Sequence, residues 1–310
     1  MAVSDRKIVY YYNAICWNVF GDITHSISGD LFLLLILPAI VKNYSPMNQS
    51  AGNLHDEKGS SETIRVTSYN LSEFDQFGYW LAGLIDGDGY LSVSKTGYTS
   101  CEITLHESEV QILYYIKSIL SGSVTKRIKS KAYRWRLHNK LGMEILIDLI
   151  NGKLKTSIKH TQLIKVCNAL NIRPIITSNI STQNAWFTGF FDGEGSFNCN
   201  SSTYQLSISL SQKDKTILEN ILIQFKVGSI YEDKSWKGYK YYLTSISDLK
   251  VIISFFENFP LVTRPKSTDF ITFKKLLFRK ERGDHLLPSN HPHKLAFVNL
   301  ANTLINRKKI

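Results

Sequence analysis

Two acidic residues stand in matching settings 106 residues apart: Asp88 between Gly87 and Gly89, and Glu194 between Gly193 and Gly195. Each follows an apolar, small-residue stretch that reads as a helix, Phe77–Asp86 and Ala185–Asp192. An acid at a helix C-terminus meets the negative end of the helix dipole. Two such acids meeting near one axis repel further, so the pair calls for a cation between them. Hard oxygen donors suit Mg²⁺, with Mn²⁺ as a substitute. A metal held there beside a phosphate acidifies a bound water and stabilises charge on the attacked phosphorus and the leaving oxygen. The candidate metal site is Asp88 and Glu194 with Gly87 and Gly193. A single Gly-Asp-Gly reads more simply as a tight turn; two copies at one offset, each after the same kind of helix, favour the site. Asp86 and Asp192 read as structural acids at the helix ends, with an outer metal-ligand role as the alternative.

The elements that must position these acids repeat as well. Trp80-Leu81-Ala82-Gly83-Leu84-Ile85-Asp86-Gly87-Asp88-Gly89 matches Trp186-Phe187-Thr188-Gly189-Phe190-Phe191-Asp192-Gly193-Glu194-Gly195. At the same offset Tyr98 falls on Tyr204, Gly122-Ser123-Val124 on Gly228-Ser229-Ile230, and Tyr133–Leu137 on Tyr239–Leu243, one register without gaps. Each half reads α-β-β-α-β-β-α. In Gln205–Gln212, for example, Leu206, Ile208 and Leu210 alternate with Ser207, Ser209 and Ser211, the period of a half-buried strand. The fold class is therefore α+β: two pseudo-symmetric αββαββα halves with antiparallel sheets, related by a pseudo-two-fold axis. The simplest join is helix against helix, where Ala82, Gly83, Thr188 and Gly189 lack bulk. The expected division is an extension over 1–70, a first half over 71–170, a linker over 171–184, a second half over 185–280 and a basic tail over 281–310. Pro288 and Pro292 argue against one continuous helix in that tail.

Charge narrows the partner. The chain of 310 residues carries 37 Lys+Arg against 26 Asp+Glu, a formal net charge of +11. Residues 1–70 hold five basic and six acidic side chains, so the excess lies in the duplicated region. That favours a polyanion, most simply nucleic acid. Four separated cysteines, Cys16, Cys101, Cys167 and Cys199, form no CxxC pair and suggest neither zinc knuckle nor disulfide framework. The apolar run Leu31–Val41 is too short to span a bilayer and lacks a signal peptide's basic flank. It reads as a buried segment or upstream remnant, and Asn48–Ser61 as a solvated loop.

With both motifs in view, the chain resembles the LAGLIDADG homing endonucleases in their single-chain, two-motif form. The motifs are Leu81–Gly89, nearly the family consensus, and the more degenerate Phe187–Gly195. The resemblance covers about residues 71–280 and does not reach 1–70. It implies that the motif helices form the interface between the halves and that Asp88 and Glu194 bind the divalent metal. The sheets would form a saddle over the major groove of double-stranded DNA, and hydrolysis would leave staggered 3′ overhangs. The family lysine near the end of each half corresponds to Lys266, and in the first half to Lys159 or Lys155, neither of them 106 residues before Lys266. His106/Glu107 and Gln212/Lys213 fall where the family places a glutamine or similar solvent-organising group, and Gln212 is the better candidate.

A DNA-reading face can be expected on the strands. The hairpin Lys126–Arg136 places Arg127, Lys129, Lys131, Arg134 and Arg136 close together, and alternation sends side chains of one parity to one face. The second half offers Tyr231, Lys234, Trp236, Lys237 and Lys240. Earlier strands offer Ser92, Ser94, Thr104 and His106, and in the other half Ser196, Asn198, Asn200, Ser207, Ser209 and Ser211, short groups able to reach bases directly or through water. Because the halves differ, the target should be asymmetric. The alternatives are an intron-RNA maturase of the same fold, with or without cleavage, and a non-enzymatic DNA-binding regulator. A monomer without membrane attachment is expected. Members of this family are often read from organelle introns, which points to the mitochondrion ahead of the chloroplast.

Overall fold

The computed structural model describes residues 62–307. Leu31–Val41, Asn48–Ser61 and Cys16 lie outside the described residues. The chain divides into two compact units, residues 1–77 and 78–310. Of the first, only helical residues 62–77 are described.

The second unit carries the duplication. Helix α1 (Glu62–Asp88) runs directly into β1 (Gly89–Val93) and β2 (Thr99–His106), then a 3₁₀ turn at Glu107–Glu109 and α2 (Val110–Leu120). Strands β3 (Ser123–Lys126) and β4 (Ala132–Leu137) follow, then α3 (Lys140–Ile150) and α4 (Ser157–Leu170). After the linker the order recurs: α5 (Trp186–Glu194), β5 (Gly195–Cys199), β6 (Leu206–Gln212), α6 (Lys215–Phe225), β7 (Ser229–Asp233), β8 (Gly238–Leu243), α7 (Ile246–Asn258) and α8 (Arg264–Glu281). Helix α9 (Pro292–Arg307) closes the chain. Each half forms one four-stranded antiparallel sheet, in the orders β1-β2-β4-β3 and β5-β6-β8-β7.

Each half thus holds the expected αββαββα set and then one more helix. Helix α4 buries Lys159, Leu163, Val166 and Cys167, a helical spacing of one face. It packs along edge strand β1, where the Gln162 Oε1 accepts a hydrogen bond from the Leu91 amide at 3.0 Å. This satisfies an amide that the sheet edge would otherwise leave unpaired.

The repeat does not keep one register. Gly89 pairs with Ile103, whereas Gly195 pairs with Leu210, so the second strand of each half is offset by 107 residues, not 106. One extra residue in the β5–β6 turn causes this. The offset returns to 106 at β4 and β8, where Ile103 faces Trp135 and Leu210 faces Tyr241.

The two cores solve one packing problem with different side chains. The first is mainly aliphatic, with Leu81, Ile85, Leu105, Leu113, Ile116 and Leu146 buried. The second is aromatic: Phe187 lies 4.6 Å from Phe225 and 5.8 Å from Phe256, and Phe191 lies 5.0 Å from Phe197, centroid to centroid. Phe187 and Phe191 stand where the first motif has Leu81 and Ile85. The degeneracy of the second motif is therefore a change of core chemistry. Thr188, in place of Ala82, donates its hydroxyl to the Phe259 carbonyl at 2.8 Å.

The linker is held against the first half. The Asn151 side chain donates to the Arg173 carbonyl and accepts from the Ile175 amide at 3.0 and 2.8 Å. Residues beyond Glu281 also pack. Asp284 is buried and paired with Arg279 and Arg282, and α9 buries Phe297, Ala301 and Leu304, with Phe297 edge-on to Tyr204. Cys101, Cys167 and Cys199 are free thiols. Among the described residues no helix is long and apolar enough to cross a membrane.

The motif helices α1 and α5 touch backbone to backbone. A Cβ on Gly83 would sit 2.0 Å from the Trp186 carbonyl oxygen, and one on Gly189 would sit 1.8 Å from the Trp80 carbonyl oxygen. Neither obstacle is the movable end of a side chain. Gly189→Ala should therefore lower unfolding stability by about 1–3 kcal/mol or more, measured as a fall in the urea midpoint; an unchanged midpoint would contradict this contact.

Candidate active site

Helices that cross at glycine bring their C-termini together. Asp88 is the last residue of α1 and Glu194 the last of α5. A Cβ on Gly193 would lie 2.5 Å from the Asp88 carboxylate, and one on Gly87 would lie 3.2 Å from the Glu194 Cγ. Each acid thus lies over the glycine of the opposite helix. Burial pushes both carboxyls above their ordinary values, and the neighbouring Asp88 pushes Glu194 up further. Lys266 and, less strongly, Lys159 oppose the rise.

Asp86 and Asp192 are anchors. Asp86 accepts from the Lys155 amide at 2.7 Å, from the Thr156 amide at 3.0 Å and hydroxyl at 2.7 Å, and from the Trp186 indole at 2.8 Å. Asp192 repeats the set with the Val262 amide, the Thr263 amide and hydroxyl, and the Trp80 indole at 2.9 Å. Each aspartate therefore takes its indole from the other half. Burial drives both carboxyls up while these donors pull them down.

This anchoring separates the two first-half lysines. Lys159 and Lys266 each lie three residues beyond an anchoring threonine. The Lys159 ammonium donates to the Gly89 carbonyl at 2.5 Å, and the Lys266 ammonium donates to the Gly195 carbonyl. They are counterparts at an offset of 107, because one further residue enters between β8 and Val262. Lys155 instead donates to Thr177 Oγ1 at 2.6 Å, tying down the linker away from the acids. Burial depresses the Lys159 ammonium, partly offset by Asp86 and by Asp88 and Glu194.

Gln212 reaches the Glu194 carboxylate with its side chain. The shifted register makes Leu105, not His106, its strand counterpart. His106 instead caps the 3₁₀ turn, accepting from the Ser108 amide at 3.3 Å. That turn presents Glu109, which the sequence reading missed. Burial lifts its carboxyl to about 7, with Lys266 lowering it and Asp88 and Asp192 raising it. The isolated Glu-Ser-Glu run gave no sign of which acid would turn towards Asp88.

The expected binding residues divide into sheet and turn. Strand pairing puts Ser92, Thr104, Arg134 and Arg136 on one face of the first sheet, joined by Tyr90, Ser100 and Glu102. In the second sheet Ser196, Asn198, Ser207, Ser209, Ser211 and Lys240 share a face with Tyr231 and Tyr242. Ser207 and Ser209 are only 3% and 4% exposed, and the Asn198 amide donates to Ser209 Oγ at 3.1 Å, so these serines are engaged within the sheet. Ser94 and Asn200 lie beyond their strands and bind turn amides. The expected alternation of Arg127 and Lys129 fails, because β3 ends at Lys126; Arg127, Lys129 and Lys131 are exposed on the turn, where Lys129 has φ +61°. Lys234, Trp236 and Lys237 likewise occupy the β7–β8 turn, and Lys240 lies 5.5 Å over the Tyr242 ring.

Two halves crossing at glycine, each ending in an acid beside a lysine and a polar sheet face, define the LAGLIDADG class of protein. The chain belongs to that family: the LAGLIDADG endonuclease model matches residues 81–170 and 187–277. It is 35% identical over 244 residues to the intron-encoded RNA maturase bI4 of Saccharomyces cerevisiae, covering 76% of this chain and 38% of that protein. It is 37% identical over 216 residues to a probable intron-encoded endonuclease aI2 of Debaryomyces hansenii, covering 61% and 32%. An uncharacterised cox1 intron-2 protein of Schizosaccharomyces pombe is 31% identical over 283 residues, covering 82% and 85%. The chain thus spans about a third of the length of the first two relatives and most of the third. The meganuclease I-SmaMI bound to uncleavable DNA superposes with a TM-score of 0.57 at 19% identity, covering 73% of this chain and 97% of that one, which shows the shared fold.

Glu109 generates a pH test. Its carboxyl titrates near 7 when folded against an ordinary 4.5, so the folded state holds a proton that the unfolded state has released between those values. Stability contributed by that proton is present below pH 4.5 and is lost as pH rises through 7. Glu109→Gln should flatten the decline, making the variant relatively more stable at pH 8 than at pH 5 in paired denaturant titrations; parallel wild-type and variant profiles would refute this.

Proposed function

We propose that the chain is a site-specific endonuclease that hydrolyses both strands of duplex DNA at one long, asymmetric target, leaving staggered 3′ overhangs. The observation that carries this reading is the meeting of Asp88 and Glu194 at the crossed ends of two motif helices, beside a buried Lys159 and a half-buried Lys266. A pseudo-two-fold pair of acids suits two antiparallel strands, one acid for each scissile phosphate. The unlike sheet faces support an asymmetric target, and both halves within one chain support a monomer.

The donor set fits Mg²⁺, or Mn²⁺ in its place. It consists of carboxylates beside glycines, without thiol or imidazole, and its acids are held close despite repulsion that a cation would relieve. Among the described residues no cluster of three or more His, Cys, Asp or Glu side chains surrounds an ion position. Asp88 and Glu194 would therefore share the metal with water and phosphate oxygens, and Gly87 and Gly193 leave room for this. When bound, the metal would acidify a water and neutralise charge on the phosphate. Lys159 and Lys266 hold positive charge against the attacked phosphate, each fixed by a strand carbonyl. Gln212 orients Glu194 and a solvent molecule beside it.

A second reading has its own support: the relative at 35% identity is named an RNA maturase. On that reading the same fold would assist splicing of an intron RNA, with or without DNA cleavage. The relatives' names place their genes in introns, one of them in cox1, which supports intron encoding here and a mitochondrial home.

Asp88→Asn and Glu194→Gln should each lower Mg²⁺-dependent double-strand cleavage by roughly a thousand-fold or more, since each removes several kcal/mol of metal-borne stabilisation. Binding of the same duplex in Ca²⁺ should stay within about tenfold. The assay is a gel of linear duplex carrying the intron-insertion site, beside a splicing assay on the intron RNA. Full cleavage by both variants would reject the nuclease; splicing help without wild-type cleavage would select the maturase.

A further inference from the structure

The polar face of the first sheet carries a charge cluster outside the metal site. Glu102, in the middle of β2, accepts a hydrogen bond from Arg134 of β4 and forms an ion pair with Arg136 of the same strand. Its Oε2 is 3.2 Å from Arg134 Nη1, and its Oε1 is 3.2 Å from Arg136 Nε. The three residues belong to adjoining cross-strand rows, Tyr90–Glu102–Arg136–Ser123 and Thr104–Arg134–Thr125. Glu102 is the more enclosed, with its side chain 22% exposed, whereas that of Arg136 is 47% exposed.

The two arginines are held differently. Arg136 is ion-paired with Glu102 at Nε, and among the described residues no hydrogen-bond partner is found for Nη1 and Nη2. Its end-on fork is thus open to a ligand on a side chain 47% exposed, while the ion pair holds the side chain near Glu102. Two parallel N–H groups at that spacing match the O6 and N7 acceptors of guanine in the major groove, whereas adenine offers a donor at one of those places. Arg134 is gripped at Nη1, while its Nε is shut from solvent without a hydrogen-bond partner. A buried donor left unpaired is unfavourable, so Arg134 is the arm that gains by moving to a phosphate or base acceptor.

The other half has no such cluster. The positions equivalent to Glu102, Arg134 and Arg136 by strand pairing are Ser209, Lys240 and Tyr242. There the lysine lies over the tyrosine ring, and Ser209 bonds to Asn198.

We propose that Glu102 is a positioning residue that aims Arg136 at a guanine in the half-site read by the first sheet, and that this half-site alone carries that guanine-specific contact. The inference rests on the DNA-binding reading above and names part of its target. Glu102 acts in two ways. It fixes the guanidinium fork, and its negative charge disfavours seating the same face on phosphates in a wrong register. Removing it should therefore strengthen non-specific binding while weakening discrimination.

The test is selection from a randomised duplex library by the full chain in Ca²⁺, followed by equilibrium binding of the selected duplex and its single-base variants. Wild type should show one strongly preferred guanine whose replacement by adenine weakens binding roughly ten- to hundred-fold. Arg136→Lys should reduce that ratio to a few-fold at that position only. Glu102→Gln should also reduce it while raising affinity for unrelated duplex, and Glu102→Asp should restore part of it. A matching urea midpoint for each variant excludes unfolding as the cause. If Arg136→Lys and Glu102→Gln leave every base preference unchanged and shift all sequences equally, the cluster serves phosphates and this proposal is overturned. If no duplex is enriched by wild type, the DNA-binding reading falls and the proposal falls with it.

Discussion

The arrangement depends on two aspartates that each tie their own motif helix to two other parts of the chain. Asp86 lies in its own motif helix, receives the indole of Trp186 from the other half, and receives the Lys155–Thr156 segment of its own. Asp192 does the same with Trp80 and Val262–Thr263. A buried carboxylate is unfavourable unless its oxygens are satisfied. Here four donors satisfy each, and those donors come from different elements. The halves cannot slide along the glycine contact without stripping an indole from an aspartate. The lysine-bearing helices cannot shift without stripping a threonine. Hence the acids that end the helices and the lysines that begin α4 and α8 are fixed relative to one another by the same two side chains.

That frame is symmetric, and what it carries is not. The first core is aliphatic and the second aromatic, yet both leave the motif helices where the glycines require. The sheet faces diverge further: a carboxylate between two arginines in one half, and serine, lysine and tyrosine in the other. The partners around the acids diverge too, with Glu109 towards Asp88 and Gln212 on Glu194. Catalysis on two antiparallel strands needs only the frame to be two-fold. Recognition of an asymmetric sequence needs the faces to differ. On the proposed reading the fold separates these demands, because frame residues lie on the helix interface and the candidate recognition residues on one face of each sheet.

Much of this was legible in the sequence because it depends on local period and repeated spacing. Gly83 and Gly189 pointed to a close helix contact, Asp88 and Glu194 to paired acids, and Leu206–Ser211 to a strand, although Ser207 and Ser209 are buried along with the leucines. The misreadings came from single-residue insertions, which local period cannot register. An extra turn residue moved the second strand to an offset of 107 and gave Gln212 a leucine as its counterpart. Another moved Lys266 off the 106 register and left Lys155 competing with Lys159 until the Asp86 hydrogen bonds placed them. Arg127 and Lys129 seemed to alternate on a strand, but sequence does not show where a hairpin stops and turns. Glu102 had the parity of Thr104 and His106 and could have been found by extending their alternation. Glu109 could not, since its approach to Asp88 comes from another element folding over.

Electrostatics connect the frame to the chemistry. Asp88 and Glu194 sit where burial favours protonation, with repulsion from Asp88 adding to it at Glu194, while Lys159 sits where burial favours loss of its proton. Each group taken alone is held against its solvation preference, and the lysines relieve the acids only in part. On the proposed reading a divalent cation would stabilise the carboxylates and a phosphate would add an anion beside the lysines, each relieving part of that strain.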